Sequence, residues 1–390
     1  MASEAPIVTP QCPQDWDPRS DDVIRDPLAA YDGLRARCPM AWSGLLGWTL
    51  TDNAGIRAVL QDPETFSNSV SRHLSVPNGM DPPQHTPFRR LVERYFEPAE
   101  VAGLEPELDG IARELAEAAR GAGDVDLVSD FCEPFAVRAQ CAFLGWPRSV
   151  EARLAEWARR NEAATREQDR QALAEIAAEL DALVVALLDE RRALGDDAPP
   201  DRTTRLLHEQ VDGRRLTDAE IVSILRNWTM GEVGTLAASL GIIGAFLAGH
   251  PAEQERLRAD PAAVPDAIEE ILRLHGPLLA NRRRVTRDTT IAGQPVAAGD
   301  RVTLLWVPAN RDPAAFSDPL AYRPERDQSR NLLWGEGLHV CPGAPLARLE
   351  LQIAVRALLD VAGLAPQPQA TPQPAAYPAS GFAFVPLRLE

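Results

Sequence analysis

The feature that most restricts this chain is a helix of unusual length and apolarity near its middle. Thr217 opens it, with Asp218 and Glu220 in the first turn, where acidic side chains suit the helix dipole. The helical pattern runs to Ala248 and is stopped by Gly249-His250-Pro251. At roughly 30 residues it spans about 45 Å. A helix that long and apolar must cross the centre of the protein. No stretch of about 18 apolar residues is free of charge, so a membrane span is not expected. The longest apolar run, Leu236 to Leu247, is too short and reads as core.

Around this helix the pattern is mainly α with a minor β region. The stretch from Glu100 to Ala193 is almost wholly helical, rich in Ala, Leu, Glu and Arg. Shorter helices are expected at Asn53–Leu60, capped by Asp52 or Asn53, and at Thr86–Phe96, Ala252–Ala259, Val264–Leu274 and Ala344–Val361. Strands are expected at Trp48–Thr51, in the stretch 284–304 with turns at Ala292-Gly293 and Ala298-Gly299, and in the tail Ser380–Arg388. No repeat or low-complexity linker divides the 390 residues, which suffice for a large core. Residues 1–23 read as an irregular arm and 24–390 as a single domain.

Charge and cysteine usage exclude several roles. The formal net charge of −17 gives no bulk attraction to nucleic acid. The five cysteines, at 12, 38, 132, 141 and 341, are odd in number and lack metal-site spacing. Free thiols in a reducing cytoplasm are expected, with Cys132 and Cys141 as small buried hydrophobes. The N-terminus has neither a basic n-region nor an apolar h-region, so no signal peptide is expected.

The chemistry concentrates in Trp334-Gly335-Glu336-Gly337-Leu338-His339-Val340-Cys341-Pro342-Gly343. Glycines let the backbone turn sharply and lie close to a flat ligand. A cysteine at a helix start meets unpaired N–H groups that favour the thiolate, and such a thiolate suits an axial iron ligand. The segment resembles the cysteine-ligand loop of the cytochrome P450 haem-thiolate monooxygenases, usually Phe-Gly-x-Gly-x-His-x-Cys-x-Gly, with Trp334 in place of Phe. The resemblance runs from about residue 24 to the end and includes Ala309-Asn310-Arg311-Asp312-Pro313. It implies the P450 fold, with haem b (iron protoporphyrin IX) between the central helix and the cysteine loop. Cys341 is then the metal ligand, with Gly343 beside the cofactor.

Other positions fit the same resemblance. Glu270 and Arg273 share one face of a predicted helix and can pair. In the family such a pair locks to an arginine upstream of the cysteine, here Arg326, and holds the haem loop. His85 and Arg89, four apart on one helix face, match a family His-x-x-x-Arg. With Arg283 and His339 they are expected to partner the two haem propionates. Arg282 remains an alternative to Arg283.

One departure matters. Over the haem the family's central helix carries Ala/Gly-Gly-x-Asp/Glu-Thr, whose acid and alcohol help deliver protons. Counted back from His250-Pro251, Thr235 takes the threonine position and Gly234 the acid position. Glu232 lies three residues before Thr235, roughly on its face, and offers a replacement carboxylate. Two alternatives stay open: Glu232 is a solvent or salt-bridge residue, or a slipped alignment puts Gly234 on the threonine.

The resemblance implies a soluble bacterial-type monooxygenase that inserts one atom of O2 into a small hydrophobic substrate, by hydroxylation or oxidative dealkylation. The chain has no flavin or iron–sulfur motif, so electrons are expected from a ferredoxin and its NAD(P)H-dependent reductase. A peroxide-driven peroxygenase and a non-catalytic haem-binding sensor are the alternatives. The pocket is expected to draw on Val70–Met80, Asn227–Thr235, Leu278–Ala280 and Gly381–Phe384.

Overall fold

The computed structural model describes residues 16–390. The central helix forms as Asp218–Ala248, 31 residues. A capping box fixes its start: Glu220 N–H donates to Thr217 Oγ1 at 3.3 Å, and Thr217 N–H donates to Glu220 Oε2 at 2.8 Å. Arg214 clamps the same carboxylate at 2.7 and 2.9 Å. The helix ends at Gly249, and Pro251 opens the next helix, Pro251–Ala259. By length and composition alone the whole helix is long and apolar enough to span a bilayer. Its apolar side chains, among them Ile221, Leu225, Leu236, Leu240 and Ile243, are instead buried inside the protein.

Helices Glu133–Leu144, Arg170–Leu194, Val264–His275 and Ala344–Val361 pack against the central helix, and Glu105–Ala122 covers the last of these. One hydrophobic core runs through them all. A five-stranded sheet has the order Met40–Ser43, Gly47–Leu50, Arg301–Leu305, Ala280–Val285, Phe66–Ser67. Arg301–Leu305 runs parallel to Gly47–Leu50, and the other pairings are antiparallel. Strand alternation buries Arg283 and Val285 while Arg282 and Arg284 face out.

Several expectations need correction. Asp21–Arg25 is a helix, not irregular arm, because Val23 packs into a cluster with Tyr31 and Leu34. Residues 1–15 of the expected arm lie outside the described residues. The stretch 100–193 is interrupted by a strand, Asp124–Asp126, which pairs with Pro386–Leu389. Gly123, at φ +79°, releases the chain from the preceding helix. Cys38 is fully buried and disulfide-bonded, against the expectation of free thiols throughout. Cys132 and Cys141 are free and buried as expected.

Candidate functional site

The cysteine loop is closed by its own backbone. Cys341 N–H donates to the Trp334 carbonyl at 2.8 Å, and Val340 N–H to that of Gly337 at 3.1 Å. Gly335 and Gly337 sit at φ +71° and +75°. A Cβ on Gly337 would lie 2.9 Å from the Leu60 carbonyl oxygen, so this turn requires glycine. Gly343 has an ordinary φ of −79°. Its missing side chain matters for space: a Cβ would stand 3.6 Å from the Phe96 ring and 3.9 Å from the Cys341 sulfur.

Cys341 precedes the final helix, and the N–H groups of Gly343 and Ala344 reach its sulfur. Burial raises the Cys341 thiol above its ordinary value, against the lowering effect of the Gly343 and Ala344 N–H groups. A metal bound here would favour the deprotonated sulfur, as a coordinating thiol is deprotonated outright.

Behind the loop the expected triad is assembled. Arg273 donates to both oxygens of Glu270, at 2.7 and 2.8 Å, and both side chains are fully buried. Arg326 Nε donates to Glu270 Oε1 at 3.1 Å. The carboxylate also accepts from Gln328 at 3.0 Å and from the Arg323 N–H at 3.1 Å, two partners the sequence did not reveal. Burial pushes Glu270 up, but Arg273, Gln328 and the Arg323 N–H outweigh it and hold the carboxyl below its ordinary value. Arg273 reaches on to the carbonyls of Asn310 and Pro319, at 2.6 and 3.0 Å, tying this helix to the segment before the cysteine loop.

Four other expected residues converge nearby. The rings of His85 and His339 lie 4.5 Å apart, centroid to centroid. His85 is fully buried, and among the described residues neither of its ring nitrogens nor His339 Nε2 has a partner. Burial first, then the neighbouring cations, depress both imidazoles. Arg283 is 6% exposed, and among the described residues its Nη1 donates only to the Arg282 carbonyl, at 2.9 Å. Burial lowers the Arg283 guanidinium to about 10. Arg282 is not an alternative to it, since its side chain points out to the Tyr377 hydroxyl at 3.0 Å. Arg89 is buried too, but its Nε already pairs with Glu93 at 2.7 Å. Buried imidazoles and a guanidinium without a carboxylate partner fit a ligand carrying acid groups. With the Cys341 sulfur between N–H donors, this donor set fits haem.

On the central helix, Thr235 Oγ1 donates to the Gly231 carbonyl at 2.6 Å. Gly231 and Gly234 are exposed, and nothing lies within 4 Å of where their side chains would begin. Glu232 is not on this open side. It is buried toward Glu350 of the final helix, so it is neither a solvent residue nor part of an ion pair with a cation. Sequence reasoning missed Glu350; the available signal was an acid amid the apolar positions Leu346, Ile353 and Ala354.

The segment expected to cover the pocket is strapped to the same helix. Val76 N–H donates to Ser223 Oγ at 2.8 Å, Arg226 Nη2 to the Leu74 carbonyl at 2.7 Å, and Asn227 Nδ2 to the Val76 carbonyl at 3.0 Å. Val70, Leu74, Met230 and Leu278, all within expected pocket segments, are large apolar side chains left exposed.

Known proteins agree with this geometry. Residues 163–389 match the family described as cytochrome P450. Cyclomarin C epoxidase CymV of Salinispora arenicola is 35% identical over 80% of this chain and 82% of its own length. Erythromycin C-12 hydroxylase of Saccharopolyspora erythraea is 31% identical over 86% of this chain and 88% of its own. The structure of cytochrome P450 CYP109Q5 from Chondromyces apiculatus superposes with a TM-score of 0.85 at 27% identity, covering 96% of this chain and 98% of that one. The cysteine loop, the buried Glu270–Arg273–Arg326 cluster and these matches agree: the chain belongs to the cytochrome P450 family of haem b monooxygenases.

Proposed function

We propose that this chain hydroxylates, or otherwise inserts one oxygen atom into, a hydrophobic organic substrate, as a soluble cytoplasmic enzyme fed by a ferredoxin and its NAD(P)H-dependent reductase. The observation that carries the reading is the convergence, near Cys341, of the unpartnered His85 ring, His339 Nε2 and an Arg283 that pairs with no carboxylate among the described residues. Residues 24–390 work as one haem-binding domain. When bound, the haem supplies the O2 activation and electron chemistry that no side chain offers.

The protein's own residues then have separable tasks. Cys341 would hold the metal through its sulfur, with the N–H groups of Gly343 and Ala344 stabilising negative charge there. Arg283, His85, His339 and the remaining donors of Arg89 take the acid groups of the cofactor. Glu270, Arg273 and Arg326 keep the loop rigid from behind. Thr235 presents a hydroxyl on the open side of the central helix, and Glu232 keeps a carboxyl one turn earlier. Val70, Leu74, Met230 and Leu278 offer apolar surface to the substrate. The named relatives are a cyclomarin C epoxidase and an erythromycin C-12 hydroxylase, which supports insertion of oxygen into an organic substrate.

The reduced, CO-bound protein is expected to show the red-shifted absorption of a thiolate-ligated haem, and Cys341→His to lose it. An unchanged spectrum in that variant overturns the assignment. A second reading, a peroxide-driven peroxygenase, is favoured by Gly234 in the acid position. Turnover with peroxide compared with turnover on NADH plus redox proteins separates the two.

A further inference from the structure

A cavity of about 200 Å³ lies between the first helices of the chain, the central helix and the tail. Its walls are largely apolar, with Val23, Leu28, Ile242, Leu279, Val307 and Phe382 among them. Neither the cysteine loop, nor His85 or Arg283, nor any residue of the stretches 70–80 and 227–235 lines it. It is therefore a different space from the one over which Thr235 stands, although Leu279 and Phe382 belong to segments expected to wall that pocket too.

Packed elements build this hollow. Val23, Tyr31, Leu279 and Val307 belong to one buried cluster. The tail wall is pinned in place: Ala375 N–H donates to the Gly381 carbonyl at 3.0 Å, and Ser380 Oγ to the Gly276 carbonyl at 2.6 Å. Gly381, at φ +82°, lets the tail turn lie against the central helix, where a Cβ would stand 3.1 Å from Ile242.

Two polar groups line this apolar space with no hydrogen-bond partner among the described residues: the Tyr31 hydroxyl and the His275 imidazole. Tyr31 is a buried residue. Burial first, then Arg311 and Arg273, keep His275 neutral at pH 7, so one ring nitrogen donates and the other accepts. Arg25 and Asp26, the charged residues among the described lining, are both exposed and opposite in sign. An ion inside the cavity would thus lose water without gaining a buried counter-charge.

Buried polar groups are almost always paired, so two left open in one apolar hollow call for an occupant. Size restricts it. An apolar cavity of about 150 Å³ takes up benzene, while drug-sized ligands occupy roughly 300 Å³ or more. The volume here suits one ring with one small substituent. A hydroxyl both donates and accepts, and so answers a phenol and a neutral imidazole together. We propose that this cavity is a second small-molecule site, which takes a neutral single-ring phenol with its hydroxyl bonded to Tyr31 and His275. The assignment does not rest on the reading of function above.

The test is a fluorine NMR titration of para-fluorophenol into haem-loaded protein at pH 7, with phenylimidazole added to occupy the iron and the space above it. Saturable binding at one site is expected to persist with phenylimidazole present. Fluorobenzene, which lacks the hydroxyl, should bind about tenfold more weakly, as the loss of a net hydrogen bond requires. Tyr31→Phe should weaken para-fluorophenol about tenfold and leave fluorobenzene as in wild type. Ala379→Phe, which puts a ring into the cavity, should abolish the binding of both probes. Circular dichroism and the CO spectrum check that each variant folds and takes up haem. Tyr31→Phe removes a single oxygen atom and keeps the test decisive should Ala379→Phe fail to fold. Binding that disappears with phenylimidazole places the phenol at the iron and overturns the proposal. Equal affinity for para-fluorophenol in wild type and both variants overturns it too. An equal loss for both probes in Tyr31→Phe overturns recognition through the hydroxyl.

Discussion

Trp334 donates its indole N–H to both carboxylate oxygens of Glu269, at 2.9 and 3.0 Å. Arg348 Nε donates to the same carboxylate at 2.7 Å, and its guanidinium lies 4.9 Å from the Trp334 ring. One side chain thus ties the start of the cysteine loop to the helix of Glu270 and to the final helix. The Trp334 carbonyl also accepts from Cys341 N–H, so the indole anchors the residue that holds the cysteine. A phenylalanine, usual in the family, has no N–H for this task.

Trp334→Phe is therefore expected to destabilise the protein while keeping its thiolate spectrum. A hydrogen bond to a charged group contributes about 1.5–3 kcal/mol. The loss should fall at the lower end, because Arg348 keeps Glu269 paired. Urea denaturation of the two proteins measures it, and equal midpoints and slopes would show the indole contact to be idle.

Arg273→Ala should be far more damaging. It leaves the fully buried Glu270 carboxylate without its bidentate partner, at a cost of about 3–5 kcal/mol. Arg326 and Gln328 remain but supply one hydrogen bond each. Little haem-loaded protein should be recovered, and Arg273→Lys should not rescue it, since an ammonium lacks the planar fork. Normal yield and melting temperature in the alanine variant would refute the structural role.

The contrast between these clusters shows what the sequence carries. Glu270, Arg273 and Cys341 were legible because chemistry fixes their spacing within one helix and one loop. The central helix was legible from Thr217 and Gly249 as punctuation. Glu350 was not, since a lone acid on an amphipathic helix reads as solvent-facing until the partner helix is known. Arg283 and Arg282 are neighbours of one type, and the sheet face decides between them, set by Arg283 pairing opposite Val302. The strand Asp124–Asp126 depends on residues some 260 positions later, beyond the reach of local pattern.

His275, at the end of the Glu270 helix, supplies a pH prediction. Burial first, then Arg311 and Arg273, lower its imidazole to about 4. The folded protein thus holds it neutral while the unfolded chain takes a proton below about 6.5. Stability from this group is fully present above that pH and declines as pH falls toward 4. The slope is at most about 1.36 kcal/mol per pH unit. His275→Gln should lose less stability between pH 7 and pH 5 than wild type, measured by denaturant unfolding. Parallel losses would exclude His275 as an acid-sensitive group.

The strap over the pocket gives the last prediction. Arg226 is held at both ends: Nη1 reaches the two Asp181 oxygens at 2.7 and 2.8 Å, and Nη2 the Leu74 carbonyl. Arg226→Ala frees Leu74 from this contact but touches nothing around Cys341. Haem content and the CO spectrum should stay as in wild type. One net hydrogen bond is about 1–1.5 kcal/mol, so substrate affinity should weaken about tenfold. The readout is the spectral dissociation constant of any substrate that shifts the haem absorption. Asn227→Ala, which removes the bond to the Val76 carbonyl, should act in the same direction. If both variants bind substrate as tightly as wild type, the loop is shaped by its own packing and the strap is incidental.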